Sequence, residues 1–266
     1  MLTDNKDNDL AKKIYEENVR VHRFEALIYE RIHPEIFNPR VQQELQKDLS
    51  LVHKLLPSPN PLALDIGCGT GNISIKLLKL GFRVTAVDIS REMLDVFREK
   101  IKNLPEASHN LSLICLDIDG FLAKEELSSY DCIVIHSVLH HLPHYSDTIR
   151  RVSKLLSNGG LIYISHEPLQ KKDIGTHIYR FLEKIDSIPL RLWMLFHGIT
   201  PRDHSFSDYH VQTGVDDKHL ANLLSDCGFE IIVCRKYTPW KTKFIDTLAR
   251  LMHIRPSCFK LLSRKQ

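Results

Sequence analysis

The stretch Leu64-Asp65-Ile66-Gly67-Cys68-Gly69-Thr70-Gly71-Asn72 constrains this chain more than any other: an apolar run ends in glycines spaced G-x-G-x-G and passes into a helical pattern. Glycines at such a strand-to-helix turn let the backbone bend tightly and let a ligand approach the main chain without side-chain obstruction. In open parallel sheets ligands bind outside the carboxyl ends of the strands, which is where this turn would lie. The spacing departs from the G-x-G-x-x-G of dinucleotide sites, and the missing G-K-[ST] excludes a P-loop.

The pattern around the turn reads as α/β. From about Leu10 to Leu56 apolar residues recur at three and four spacing, with a break at His33-Pro34 and a restart at Asn38-Pro39. Asn38 suits an N-cap and Pro39 a first helical position. Pro57, Pro59 and Pro61 then form a stiff break, so residues 1–60 read as a helical N-terminal addition and 61–266 as the main domain. From residue 61 the apolar runs LALDI, FRVTAVD, LSLICLD, YDCIVIHS and GLIYIS alternate with helices, two of them ending near Leu80 and Asn103 and the last, before GLIYIS, near Leu156. This alternation predicts a doubly wound, mostly parallel sheet, and the near-continuous hydrophobicity predicts strands covered on both faces.

After Ser165 the alternation breaks. An insertion at about 168–212 precedes a helix at 215–227 and the strand FEIIVCRKY; a second insertion at 238–256 precedes a last strand near 257–264, for seven strands in all. Because no ordinary crossover helix joins the last two strands, they are expected to pair antiparallel at the sheet edge. The insertions are expected to act as lids.

Composition narrows the setting. Cys68, Cys115, Cys132, Cys227, Cys234 and Cys258 are scattered without a C-x-x-C pair, and most fall in runs that read as buried strands, as expected of a cytoplasmic protein. The polar N-terminus lacks the layout of a secretory signal, and the most apolar stretch, 188–196, is too short to span a bilayer. The net charge of +3 hides an asymmetry, since residues 235–266 carry nine Lys or Arg against the single acid Asp246. Such a stretch suits anionic lipid, an acidic substrate or nucleic acid, or simply a solvated surface.

The series LDIGCGTG, VDIS at 87–90, LDID at 116–119 and LLSNGG at 155–160 resembles the class I S-adenosylmethionine (SAM)-dependent methyltransferases, over about residues 61–237. The resemblance implies that Asp65, Gly67, Cys68, Gly69, Gly71 and Asn72 surround the methionine part of SAM. It implies that Asp88 accepts hydrogen bonds from the ribose hydroxyls beside Ile89, and that Asp117 accepts from the adenine amino group beside Ile118. A carboxylate does match a diol in donor and acceptor count. Asp88 also reads as an acid near a helix N-terminus, although Ser90 fits that helix better as its cap.

The end of the fourth run, His136-Ser137-Val138-Leu139-His140-His141-Leu142-Pro143-His144, stands where the family has residues facing cofactor and substrate. His136 is assigned to the cofactor wall, and His140 or His141 is a candidate general base, since neutral imidazole can take a proton from a nucleophile. Packing or helix capping are the alternatives, and no carboxylate or cysteine has ligand spacing for a metal beside them. The sulfonium is an activated donor, so alignment alone is a competing mechanism. Glu167 reads either as a substrate contact or as a loop carboxylate facing water. Trp193 is a candidate substrate contact within the apolar segment 188–199, which either packs on the core or lines a pocket. The second insertion sets Trp240, Phe244, Leu248, Leu251 and Met252 beside Lys241, Lys243 and Arg250, an amphipathic basic pattern suited to peripheral membrane contact. The expected function is methyl transfer to an oxygen, nitrogen or carbon nucleophile of a small, apolar acceptor, giving S-adenosylhomocysteine (SAH). RNA modification, for which no recognisable RNA-binding module stands in the sequence, and non-catalytic SAM binding are the rivals.

Overall fold

Seven strands form one sheet in the order β3-β2-β1-β4-β5-β7-β6, with β1 at Leu62–Ile66, β2 at Arg83–Asp88, β3 at Leu111–Cys115, β4 at Tyr130–His136, β5 at Leu156–Pro168, β6 at Phe229–Tyr237 and β7 at Cys258–Lys265. The computed structural model describes residues 2–125, 130–170, 177–199 and 213–266. Parts of the first insertion, 171–176 and 200–212, lie outside the described residues.

The first five strands pair in parallel, and β7 runs antiparallel to both β5 and β6. The expected antiparallel pair is present, but β7 inserts between β5 and β6 and leaves β6 at the edge. The reason is apolarity: Phe259, Leu261 and Leu262 of β7 are buried, while much of β6 is exposed. β5 is also longer than GLIYIS, starting at Leu156, so the helix before it ends at Ser153.

Alternate residues of the central strands feed two cores. Leu64, Ile133, Ile135, Ile162 and Ile164 face one side, where they meet the helices Ile118–Leu122, Tyr145–Ser153 and Asp217–Asp226. Ala63, Val84, Ala86, Cys132, Val134 and Leu161 face the other, against Pro39–Leu55, Asn72–Lys79 and Arg91–Ile101. Burial on both faces is what a parallel sheet with crossover helices requires. The cysteines divide accordingly: Cys68, Cys132 and Cys258 are buried, whereas Cys115 and Cys234 are exposed because β3 and β6 are edge strands.

Four helices precede β1: Leu2–Glu25, Tyr29–Ile32, Pro34–Phe37 and Pro39–Leu55. As expected, Asn38 caps the last of them, its side-chain oxygen accepting from Val41 N at 3.0 Å. Its amide nitrogen donates to Pro34 O at 2.9 Å, tying the two helices together. The insertions contribute the helices His177–Asp186, Ile188–Phe196 and Lys243–Leu251. Among the described residues no helix is long and apolar enough to cross a membrane.

Replacing the cap tests this joint. Asn38→Ala is expected to lower stability by about 1 kcal/mol, read as a reduced melting temperature with far-ultraviolet circular dichroism unchanged at low temperature.

Candidate functional site

The glycine turn is held by β2. Gly67 N and Cys68 N both donate to Val87 O, at 2.8 and 3.1 Å, and Gly69 N donates to Asp88 Oδ2 at 2.8 Å. The other oxygen of Asp88 accepts from Ser90 N at 2.8 Å, and Ser90 caps the helix Arg91–Ile101 through Met93 N. Asp88 thus braces the turn, and burial pushes its carboxyl above the usual range against these donors. All three glycines have positive φ, but with different surroundings. A side chain at Gly71 would enter the Phe97 ring at 2.3 Å, and one at Gly67 would strike Val138 at 2.4 Å; at Gly69 the space is open.

A cleft opens over this turn. Its walls include Gly67, Cys68, Gly69, Asn72, Asp88, Ile89, Asp117, Ile118, His136 and His141, which the sequence singles out. Two residues assigned to the same wall stand behind it. Asp65 lies beneath the turn and accepts from Ser74 Oγ at 2.5 Å, and Gly71 is used for packing against Phe97. Asp65 Oδ1 is buried with no hydrogen-bond partner, and burial raises its carboxyl to about 7. Asp117 caps the helix Ile118–Leu122 through Gly120 N at 2.7 Å while facing the cleft. Burial pushes the Cys68 thiol well up, which makes it inert packing rather than a nucleophile.

The opposite wall comes from the N-terminal helices: Tyr15, Asn18, His22, Tyr29, Ile36 and Phe37. The sequence offered no motif for these, only helical periodicity. Glu30 latches this cover to the glycine turn, accepting from Thr70 Oγ1 at 3.2 Å and pairing with Lys100, which also donates to Thr70 O at 2.9 Å.

Beyond the cleft lies a second chamber, sharing His22, Tyr29, Ile36, Ser137 and His141 with it, and lined further by His33, His140 and His166. Glu167 stands behind its wall, under residues 138–140. It is fully buried, neither facing water nor free to grip a substrate, because its carboxylate accepts from Val138 N, Leu139 N and His140 N at 2.7, 2.9 and 3.2 Å. It also meets His140 Nδ1 at 2.9 Å. Since a carboxylate held by three donors can only accept, His140 carries a proton on Nδ1. His141 packs against His140 with ring centroids 4.1 Å apart.

His136 and His166 are neutral imidazoles. Burial lowers the first well below the usual 6.5 and the second to about 4. His136 Nδ1 meets Ser165 Oγ at 2.7 Å, and its Nε2 is buried without a partner. Trp193 lies apart from both spaces, in a shallow surface groove where Arg31 stacks over its ring at 5.0 Å. Its helix packs outside the sheet, so neither the core nor the cleft receives it.

His33 carries charge. Burial opposes protonation, but the Glu25 carboxylate, 3.9 Å from Nε2, and the Glu35 carboxylate, which accepts from Nδ1 at 2.9 Å, outweigh it and raise His33 to about 9. A raised folded value means that the stabilisation is complete below the ordinary 6.5 and is lost as pH rises towards 9. The melting temperature is therefore expected to fall across this window, and His33→Gln to flatten that fall. Thermal melts of both proteins from neutral to alkaline pH check it.

Comparison with known proteins agrees with this geometry. A methyltransferase domain model matches residues 64–162. A Geobacillus sp. protein, provisionally named as a methyltransferase, is 32% identical over 68% of this chain and 71% of its own length. The ubiquinone biosynthesis O-methyltransferase of Xanthomonas oryzae pv. oryzae is 33% identical over 38% of this chain. Among the curated relatives, two of those matched over 102 and 121 residues are spanned for only 41 and 43% of their length. The magnesium protoporphyrin IX methyltransferase of Synechocystis PCC 6803, solved with bound SAH, shares the fold at a TM-score of 0.55 and 19% identity, covering 98% of this chain and 95% of that one. Turn, strand order and relatives converge: the chain belongs to the class I SAM-dependent methyltransferases.

Proposed function

We propose that the protein transfers the methyl group of SAM to a nucleophile on a small acceptor, with the cleft as donor site and the histidine-lined chamber as acceptor site. The observation that carries this reading is that the two spaces adjoin, sharing His22, Tyr29, Ile36, Ser137 and His141 in their walls. The residues present fit the cofactor. Open space at Gly69 admits a ligand against the main chain, and the buried, unpartnered Asn72 Nδ2 in the cleft wall is a polar atom that a ligand or its bound water would satisfy. Gly67, Gly69 and Asn72 would hold the methionine part, Asp88 with Ile89 the ribose, and Asp117 with Ile118 the adenine. When bound, SAM supplies a methyl group on an activated sulfonium.

The protein's own contribution is alignment, water exclusion and proton removal. With Nδ1–H directed at Glu167, the neutral form of His140 in the chamber wall has its basic nitrogen at Nε2, from which it would take the proton of an acceptor O–H or N–H. Glu167 is then a positioning residue that selects the tautomer. Val138 and Leu142 beside Ile36 and Phe37 give the donor cleft its apolar walls, and the likeness to ubiquinone biosynthesis enzymes supports a largely apolar acceptor. RNA modification is disfavoured by the basic stretch itself: Lys260 pairs with Asp48, Lys236 with Asp217 and Arg250 with Asp246, and Arg264 and Lys265 donate to main-chain carbonyls. Few of these cations remain for a phosphate track.

Calorimetry is expected to find SAM and SAH binding weakened in Asp88→Ala by about 2 to 4 kcal/mol, with the fold retained by circular dichroism. Absent binding, or unchanged affinity in the variant, would overturn the donor site.

Turnover is read with methyl-labelled SAM on separated metabolite, lipid and RNA fractions, and label in metabolite or lipid is expected. His140→Ala is expected to lower kcat about a hundredfold at unchanged SAM affinity, and Glu167→Gln to lower kcat and shift the pH profile. Full turnover in both variants would leave alignment as the whole of catalysis. SAM binding with no label in any fraction would favour a non-catalytic role.

A further inference from the structure

The insertion helices carry most of the exposed apolar surface. Of the twelve exposed large hydrophobic side chains among the described residues, eight lie on the helices His177–Asp186 and Ile188–Phe196 or on Lys243–Leu251 and the residue after it. They lie on definite faces. Ile188, Leu192, Leu195 and Phe196 recur at helical spacing, with Leu195 and Phe196 exposed to 76 and 85%. On the other helix Phe244 and Leu251, seven residues apart, are 75 and 73% exposed. The inward faces are satisfied separately, since Leu182, Ile245 and Ala249 pack with Trp240 in a small core of their own.

The arrangement is held by a buried acid. Asp186, at the end of the first of these helices, accepts from Lys241 N, Thr242 N and Thr242 Oγ1 at 2.6, 2.9 and 2.7 Å, fixing the start of Lys243–Leu251. The outward apolar stripes are thus presented by a built scaffold. Around them Lys184, Arg191, Lys243 and Arg255 are exposed, against Glu183 as the one exposed acid on these helices among the described residues; Asp186 and Asp246 are buried and engaged, the latter with Arg40 and Arg250.

We propose that this face docks the protein on an anionic lipid bilayer, lying on the surface rather than spanning it. A protein partner would be free to match the stripes with carboxylates at fixed points; a bilayer offers a diffuse negative surface above an apolar layer, which is what exposed aromatics and leucines ringed by unpatterned cations match. Nine residues in Ile188–Phe196 are too few to cross the hydrocarbon core. Docking does not depend on methyl transfer, and its test reads binding alone.

The full-length chain is floated with phosphatidylcholine vesicles and with vesicles containing roughly one quarter phosphatidylglycerol. Flotation is expected with the anionic vesicles only, reduced by salt. Leu195→Asp with Phe196→Asp is expected to lower the bound fraction about tenfold, and Lys184→Glu with Lys243→Glu to weaken it, both with unchanged circular dichroism. The proposal is overturned by no flotation of the unmodified chain, by equal binding to neutral vesicles, or by unchanged binding in the variants. A dimer in sedimentation that Leu195→Asp with Phe196→Asp dissolves would instead assign the face to a second copy.

Discussion

At the centre of this sheet polar chemistry is pushed to the strand ends, because β1 and β4 are buried on both faces. Leu64 and Ala63 serve opposite cores, as do Ile133 and Cys132, so no side chain in the middle of β1 or β4 can reach solvent or a ligand. Only where the strands stop can the chain present charge, hydroxyls or free backbone groups. The glycine turn, Asp88, Asp117, His136 and Glu167 all lie at or just beyond such ends. The cleft is a consequence of the sheet rather than an addition to it.

Within that frame carboxylates do the bracing. Asp88 fastens the glycine turn to β2, Asp117 caps a helix, and Glu167 gathers three successive backbone donors and an imidazole. Each satisfies backbone N–H groups that would otherwise be buried without partners, which costs more than the bond itself returns. The same acids face, or act through a neighbour that faces, the cleft or the chamber. Structure and chemistry share these side chains.

The N-terminal helices and the insertions extend the sheet in different directions. The former roof the cleft and are latched to it by Glu30, Thr70 and Lys100, so opening the roof and loosening the glycine turn are coupled. The latter build a separate small core around Leu182, Ile245 and Trp240 and turn their remaining apolar surface outward. A roof over the chemistry and an apolar outer face would suit an acceptor poorly soluble in water.

The sequence by itself determined what depends on neighbours along the chain. The turn at 67–71, the acids closing the second and third runs, the Ser90 and Asn38 caps and the alternation that makes a two-sided sheet are all local patterns, since glycine, capping oxygens and hydrophobic period act over a few residues. Tertiary structure decided the rest. Glu167 reads as a substrate contact or a loop carboxylate until β5 brings it under residues 138–140, and Gly71 reads as a ligand contact until Phe97 is found against it. Tyr15, His22 and Phe37 carry no motif, yet they wall the cleft; Trp193 is conspicuous in the sequence, yet it lies outside it. β7 enters the sheet ahead of β6 because its side chains find apolar partners there. Such outcomes turn on contacts between residues tens to hundreds of positions apart, and a linear pattern carries no record of which distant surfaces will meet.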